Sequence, residues 1–300
     1  MAHPSLMPGA VAVITGGAAG IGLAAAKAFA ALGLRICIAD RGADRLARAA
    51  ETIAKAARGG TGDVMALETD VSRVEELRKL EAAVRSRFGG TDVLMNNAGV
   101  QPGSNIFGPA DNWERILAVN LWGVIHGTQV FVPGMIERGR PGLIINTGSK
   151  QGITCPPGNA PYNVSKAAVK VLSESLQHEL RNTPGCRLSA HLLVPGWTHT
   201  AINRKAARDR ARLAGDAKRQ AEPADAKPAG AWTADQVVDH LFEAVGKREF
   251  YVLCPDNEVT AEVDAKRIAW AAGDLIERRP PLSRWHPDFS AAFEAFSPRS

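Results

Sequence analysis

Tyr162 and Lys166 are the residues best equipped for proton chemistry, in the run Ala160-Pro161-Tyr162-Asn163-Val164-Ser165-Lys166. Four residues apart on a helix, they share one face. An ammonium beside a phenol stabilises the phenolate and lowers the tyrosine pKa toward working pH. The phenol then becomes a usable proton donor or acceptor. Such a pair also arises on many helices by chance. Ser149 sharpens it, standing thirteen residues earlier, just past an apolar run, Leu143–Thr147, that reads as a strand. Open α/β sheets place their ligands at strand carboxyl ends, where the Ser149 hydroxyl can hold a substrate oxygen opposite Tyr162.

A second group of residues suits an anionic ligand. A predicted strand, Ala10–Thr15, runs straight into Thr15-Gly16-Gly17-Ala18-Ala19-Gly20-Ile21-Gly22, and a helix follows. Glycine keeps this turn tight and lets backbone N–H groups approach a pyrophosphate. The helix N-terminus adds its positive dipole end. The spacing is GxxxGxG, not the GxGxxG of the commonest dinucleotide fingerprint, and glycine turns also close strand–helix units that bind nothing. Asp40 ends the next predicted strand, eighteen residues beyond Gly22. Its carboxylate can accept hydrogen bonds from adenosine ribose hydroxyls and would repel a 2′-phosphate, which favours NAD over NADP. Ala19 is neutral where a phosphate-binding basic residue could sit. Arg41 dissents, since it could turn toward a 2′-phosphate; a solvated surface arginine is the simpler reading.

These groups need a scaffold that brings strand ends together, and short apolar runs do alternate with longer amphipathic ones. Strands are expected at Ala10–Thr15, Leu34–Ala39, Val64–Glu68, Asp92–Met95, Leu143–Thr147, Arg187–Val194 and Phe250–Leu253. Helices are expected at Ile21–Leu32, Ala43–Ala57, Val74–Phe88, Trp113–Glu137, Ala160–Arg181 and about Ala234–Val245. Solid apolar strands separated by helices predict an α/β chain. The expected form is a doubly wound Rossmann fold, a mostly parallel seven-stranded sheet with helices on both faces. No internal repeat or clear linker interrupts it, so residues 1–300 read as one Rossmann-type domain.

The ordered motifs resemble the short-chain dehydrogenase/reductase family. Thr15–Gly22 matches TGxxxGxG, Asn96-Asn97-Ala98-Gly99 matches NNAG, and Asn120 falls in the long fourth helix. Ser149 matches the catalytic serine, Tyr162 and Lys166 match YxxxK, and Pro195-Gly196 with Thr200 matches the PG motif. The likeness covers about residues 10–200 closely and 233–253 loosely. It implies an NAD(P)-dependent oxidoreductase, NAD preferred, that moves a hydride between nicotinamide and an alcohol or ketone. Tyr162 would be the general acid/base. Lys166 would lower its pKa and hold the nicotinamide ribose. Ser149 would orient the substrate oxygen, and Asn120 would hold a water that relays protons from Lys166. Gly16, Ala18, Ala19, Gly20, Ile21 and Gly22 would cradle the pyrophosphate, with Asp40 and Arg41 at the ribose and Asp70 and Val71 at the adenine. Asn97, Ala98 and Gly99 would line the cofactor, and Pro195, Gly196, Thr198 and Thr200 would hold the nicotinamide end. Thr198 stands where the family commonly has an aliphatic residue. The family also commonly forms homodimers and homotetramers.

Each assignment has a plainer counterpart: Asn97 as a turn cap, Asn120 as a helix-internal hydrogen-bonder, Pro195-Gly196 as a strand-ending turn. His126, His178 and His191 read as structural, with no metal set nearby, and Cys155 as a small apolar filler. Two rival functions share the fold. A non-enzymatic dinucleotide sensor or scaffold has no use for Tyr162, Lys166, Ser149 and Asn120 together. An NADP-preferring carbonyl reductase would keep all four.

Composition narrows the partners. The 300 residues carry 36 Lys+Arg and 31 Asp+Glu, a net charge of +5, with 45% hydrophobic residues. Seven basic and two acidic residues fall between Arg204 and Arg219, leaving 29 of each sign elsewhere. One segment therefore holds the whole excess, which argues against a broad nucleic-acid face. A solvated helix is the simpler reading of that segment, and a cationic flap over an anionic substrate the sharper one. Four scattered cysteines suggest free thiols in a reducing cytoplasm. No secretory signal is visible, and no apolar run approaches the roughly 18 residues needed to cross a bilayer.

Specificity is expected in Val100–Phe107, in Ile153–Asn159 and after Trp197, because loops on a rigid scaffold carry it. Ile153, Pro156, Pro157 and Trp197 suggest a partly apolar pocket for a small-molecule alcohol or carbonyl substrate. Residues 200–232 are expected to form a lid, with Arg204–Gly230 its mobile part. Residues 258–300 read as a helical extension. In it Glu258–Arg278 is amphipathic, and Trp285, Phe289, Phe293 and Phe296 recur on one face of a helix begun near Pro287. That stripe packs on the chain's own core or on a neighbouring subunit.

Overall fold

A computed structural model describes residues 3–200, 202 and 227–297. The basic segment Arg204–Arg219 and most of the expected lid lie outside the described residues.

Seven strands form one sheet: β1 (Val11–Thr15), β2 (Arg35–Asp40), β3 (Val64–Glu68), β4 (Val93–Asn96), β5 (Gly142–Thr147), β6 (Leu188–Val194) and β7 (Tyr251–Leu253). Their order is β3-β2-β1-β4-β5-β6-β7. Every neighbouring pair runs parallel, so the sheet is parallel throughout rather than mostly so. The helices between them are α1 (Gly20–Ala31), α2 (Ala43–Ala54), α3 (Val74–Phe88), α4 (Ala110–Leu117), α5 (Gly123–Glu137), α6 (Gln151–Thr154), α7 (Ala160–Asn182) and α8 (Ala234–Gly246). After β7 come α9 (Ala261–Ile276) and α10 (Ser290–Phe296).

The all-apolar strands have a direct structural cause, which is burial on both faces. Within β1, Ala12 and Ile14 point to one side, where they pack with Phe29 of α1, Ile53 of α2 and Leu241 of α8. Val11 and Val13 point to the other, among Leu77 and Leu80 of α3, Phe131 of α5 and Leu180 of α7. Strand alternation thus feeds two cores at once. Leu77, Leu80, Val84 and Phe88 bury one stripe of α3, and Gly89, at φ +84°, stops that helix in the left-handed conformation. A capping box from Thr233 and Gln236 starts α8.

The order of strands reverses between β1 and β4. In such sheets the crevice at this switch point, outside the strand carboxyl ends, is where ligands bind.

The long helix expected from Trp113 to Glu137 begins earlier and is not uniform. Between α4 and α5, Ala118–Trp122 makes a π-turn in which the Gly123 N–H donates to the Ala118 carbonyl. Taken as one unit, Ala110–Glu137 spans 28 residues and holds an 18-residue window of mean hydropathy 1.3. By length and composition it could cross a bilayer, which corrects the expectation that nothing here approaches that length. Its apolar side, with Val124, Phe131, Val132 and Met135, is buried.

The expected single aromatic helix is divided. Trp285 sits in a 3-10 turn (Ser283–Trp285), Phe289 ends another (Pro287–Phe289), and α10 carries only Phe293 and Phe296. Those two rings lie 5.3 Å from the ring of Trp270 on α9. Trp270 also donates to the Ser283 hydroxyl at 2.7 Å and lies under the Arg279 guanidinium at 4.0 Å. Part of the stripe therefore packs on the chain itself. Turns break it because Pro287 cannot continue a ladder from the residues before it.

Candidate active site

Parallel strands put all their carboxyl ends on one edge, and the expected site residues collect there. The glycine turn follows β1, Asp40 ends β2, and Asp70 and Val71 follow β3. Asn97–Gly99 follow β4, Ser149 follows β5, and Pro195–Thr200 follow β6.

The glycine turn is shaped by close approach. Gly16 and Gly20 take φ of +65° and +54°, the region where a side chain is strained. A Cβ on Gly22 would lie 2.3 Å from the Gly16 carbonyl oxygen and 2.6 Å from Asn97 Nδ2. A Cβ on Gly20 would meet Thr200 at 3.2 Å, so the segment after β6 reaches the turn. No side chain caps α1 at Ala19, leaving its first N–H groups for an anion. The residues present therefore fit a pyrophosphate cradle.

Asn97 does more than cap a turn. Its Nδ2 donates to the carbonyls of Thr15 (3.1 Å) and Gly16 (3.3 Å), and its Oδ1 accepts from the Thr147 hydroxyl at 3.3 Å. It joins β1, β4 and β5 at the switch point. The Thr15 hydroxyl accepts from the backbone N–H groups of Asn97 and Ala98 at 3.0 and 3.2 Å, completing the tie.

At the rim, Asp40 accepts from the Ala18 N–H at 3.1 Å and from its own neighbour Arg41 N–H at 2.7 Å. Arg45, which sequence reasoning passed over, pairs with it at 2.6 Å. The available signal was a basic residue in the first turns of α2, facing back toward β2. Arg41 itself pairs with Asp70 at 3.6 Å. Burial raises the Asp70 pKa, but bonds from the Ser72 hydroxyl and N–H, with Arg41 and Arg73, outweigh it and hold the carboxyl below its ordinary value. Val71 turns its side chain into the core, and its carbonyl accepts from His126.

Lys166 is 4% exposed, and its Nζ donates to the Thr147 carbonyl at 2.7 Å. Burial lowers its pKa to about 8. The Nζ lies 5.8 Å from the Tyr162 ring centroid, so the shared helix face is real. The expected electrostatics differ, however. Burial pushes the Tyr162 phenol above its ordinary value, and the opposing pull comes from the hydrogen-bonding Ser149 hydroxyl. The ammonium is aimed at a carbonyl instead of the phenol, which is why its effect on Tyr162 is not the dominant one.

Asn120 lies within the π-turn, fully buried. Its Oδ1 accepts from the Val100 N–H at 2.7 Å, and its Nδ2 donates to the Val100 carbonyl (2.9 Å) and the Ser165 hydroxyl (3.3 Å). The side chain thus braces the loop after β4 against α7. A Cβ on Gly99 would lie 3.5 Å from Asn120 Oδ1 and 3.9 Å from Lys166 Nζ, which brings these three positions together.

Past β6, the Thr198 hydroxyl donates to the Gly196 carbonyl at 3.1 Å, and Thr198 forms a lone bridge with Trp232. Of the expected pocket residues, Trp197 is exposed, but Ile153 turns inward and packs with Val124, Val169 and Leu192. It also lines a small cavity with Leu253 of β7 and Asp264 of α9.

The sequence profile of the short chain dehydrogenase family matches residues 10–211. The 1-deoxy-11-beta-hydroxypentalenate dehydrogenase of Streptomyces exfoliatus is 33% identical over 280 residues, 91% of this chain and 93% of that protein. A short chain dehydrogenase/reductase from Burkholderia phymatum, solved in complex with NAD, superposes with a TM-score of 0.79 at 33% identity, covering 92% of this chain and 97% of that one. An actinorhodin polyketide ketoreductase variant solved with NADPH gives 0.67 at 28% identity, over 80% and 91%. With a glycine cradle, a buried lysine and a serine–tyrosine pair meeting on one sheet edge, and with relatives named as dehydrogenases of hydroxyl groups, this chain belongs to the short-chain dehydrogenase/reductase family of oxidoreductases.

Proposed function

We propose that the protein interconverts an alcohol and a ketone using NAD, with Tyr162 passing the proton. The observation that carries this reading is the Tyr162 phenol hydrogen-bonded to Ser149, with Lys166 Nζ 5.8 Å from its ring. A bound nicotinamide supplies or takes the hydride. The chain's own groups do the rest. Burial keeps the phenol protonated, the form that gives a proton to a carbonyl oxygen; in the other direction the same oxygen takes it back. Ser149 holds the substrate oxygen in place while charge develops on it. Lys166, anchored at Thr147, offers its remaining N–H groups to ribose hydroxyls. Asn120 braces the frame through Val100 and Ser165, and the π-turn around it is the kind of helix irregularity often found at functional sites.

Asp40 supports NAD over NADP. Its carboxylate sits beside the glycine turn, where it can accept from ribose hydroxyls and would repel a 2′-phosphate. Asp70, Val71, Ala98, Gly99, Pro195, Gly196 and Thr200 line the remaining cofactor surface in this reading.

The test is a screen of secondary alcohols and ketones with both dinucleotides, followed at the nicotinamide absorbance, in wild type and Tyr162→Phe. The wild type turns over at least one of them with NAD. Tyr162→Phe binds the dinucleotide but loses roughly 100-fold or more in turnover. Full activity in Tyr162→Phe would refute the mechanism.

A further inference from the structure

Beside Ser149 lies an ionic group that the proton chemistry does not use. Lys150 turns away from the phenol, toward the carboxyl end of β7 and the face of α9. Its Nζ is 2.5 Å from Asp264 Oδ2 on α9 and 3.5 Å from Asp256 Oδ2. Both carboxylates are buried. The Lys150–Asp264 contact is an ion pair without hydrogen-bond alignment. Asp256 is better held: its Oδ2 accepts from the Trp197 N–H at 3.0 Å, and its Oδ1 from the N–H groups of Glu258 and Val259 at 3.1 and 2.8 Å.

Three loops meet at this point. Lys150 follows Ser149 directly, Asp256 follows β7, and Trp197 belongs to the loop after β6. Gly196 closes over the group: a Cβ there would stand 2.8 Å from Asp256 Oδ2 and 2.9 Å from Lys150 Nζ. Lys150, Ile153, Thr154, Asp264, Arg267 and Arg284 also line a cavity of about 40 Å³ between α6 and α9. Arg267 and Arg284 add two positive charges to that wall. Burial pushes the Asp264 carboxyl up against the pull of Lys150.

A buried charge pair is weak evidence for stability, since an apolar pair of similar volume often folds as well. Its better attested use is to select one arrangement. Here the arrangement selected places the Ser149 loop and the Gly196–Trp197 loop in a fixed relation.

We propose that Lys150 is a positioning residue, which through Asp256 and Asp264 locks the serine loop and the loop after β6 onto α9. The inference rests on the functional reading above for its catalytic consequence. Helix α9 then forms part of the catalytic frame. Lys150 touches no reacting atom; it acts on where Ser149 sits. Displacements near 1 Å at a reacting group can reduce turnover about 100-fold.

The test uses the full chain in three forms: wild type, Lys150→Arg, and the double variant Lys150→Met/Asp264→Leu, which removes both charges of the pair. Amide hydrogen exchange over residues 149–155 and 196–199 should speed at least tenfold in the double variant, with β1 and β4 unchanged. Its kcat should fall roughly ten- to a hundredfold. Lys150→Arg keeps the charge and should recover most of the kcat. Should the double variant not fold, Asp264→Asn carries the same comparison. Unchanged exchange in both loops overturns the positioning role, and so does a kcat lost equally in Lys150→Arg. A wild type that turns over no alcohol or ketone would sink the functional reading instead, and the exchange result would still decide the positioning.

Discussion

Replacing Lys166 with Met should make the protein more stable and less active, and the stability gain should depend on pH in a defined way. The ammonium is buried, and its hydrogen bond runs to the Thr147 carbonyl. Burial lowers its pKa from 10.5 to about 8. That gap, at about 1.4 kcal/mol per pH unit, means folding at pH 7 carries a cost of about 3 kcal/mol for this charge. Met fills similar space without charge but leaves the Thr147 carbonyl without this donor, which costs about 1–2 kcal/mol. The variant should therefore be more stable at pH 7 by about 1–2 kcal/mol. Between pH 8 and 10.5 the unfolded wild-type chain still binds the proton that the folded chain has released. Wild-type stability thus rises with pH across that window, relative to the variant. Below pH 8 the difference is constant, and above 10.5 the wild type is the more stable protein. Urea unfolding of both proteins at steps from pH 7 to 10.5 reads the difference directly, because other groups titrate alike in the two. A flat difference across the window, or a variant less stable at pH 7, would refute the reasoning. Turnover in the variant should fall as well, measured with the same alcohol or ketone at pH 7.

Two further outcomes follow from the cofactor cradle. In Gly22→Ala the new methyl would press on the Gly16 carbonyl and Asn97 Nδ2, so the turn must open; overpacking of this kind costs about 1–3 kcal/mol, and calorimetric titration should show dinucleotide affinity at least tenfold weaker. Undiminished affinity would show that the turn is not the cradle. In Asp40→Ala the negative charge goes and Arg45 loses its 2.6 Å partner, so the ratio of kcat/KM for NADP to that for NAD should rise by about tenfold or more, near 1.4 kcal/mol; an unmoved ratio would remove Asp40 from cofactor choice.

Much of the site could be read from short-range pattern. Tyr162 and Lys166 share a helix face because four residues nearly complete a turn. The glycines of Thr15–Gly22 announce a close approach that the atoms bear out. Asn97 and Asn120 were recognisable as polar residues in the right order, but not for what they do. Asn97 joins three strand ends, and Asn120 braces Val100 against α7.

Sequence by itself determined the elements and the edge on which the chemistry gathers. Both depend on neighbours a few residues apart, since strand alternation, helix spacing and glycine turns are local. Tertiary structure decided which groups share a field. Lys150 meets Asp256 and Asp264 across more than one hundred residues of chain. Arg45 turns back on Asp40, and the Lys166 ammonium selects a carbonyl over the phenol. Burial and charge pairing are properties of closure in three dimensions, where desolvation sets the pKa of a phenol more strongly than the identity of the residue four places away.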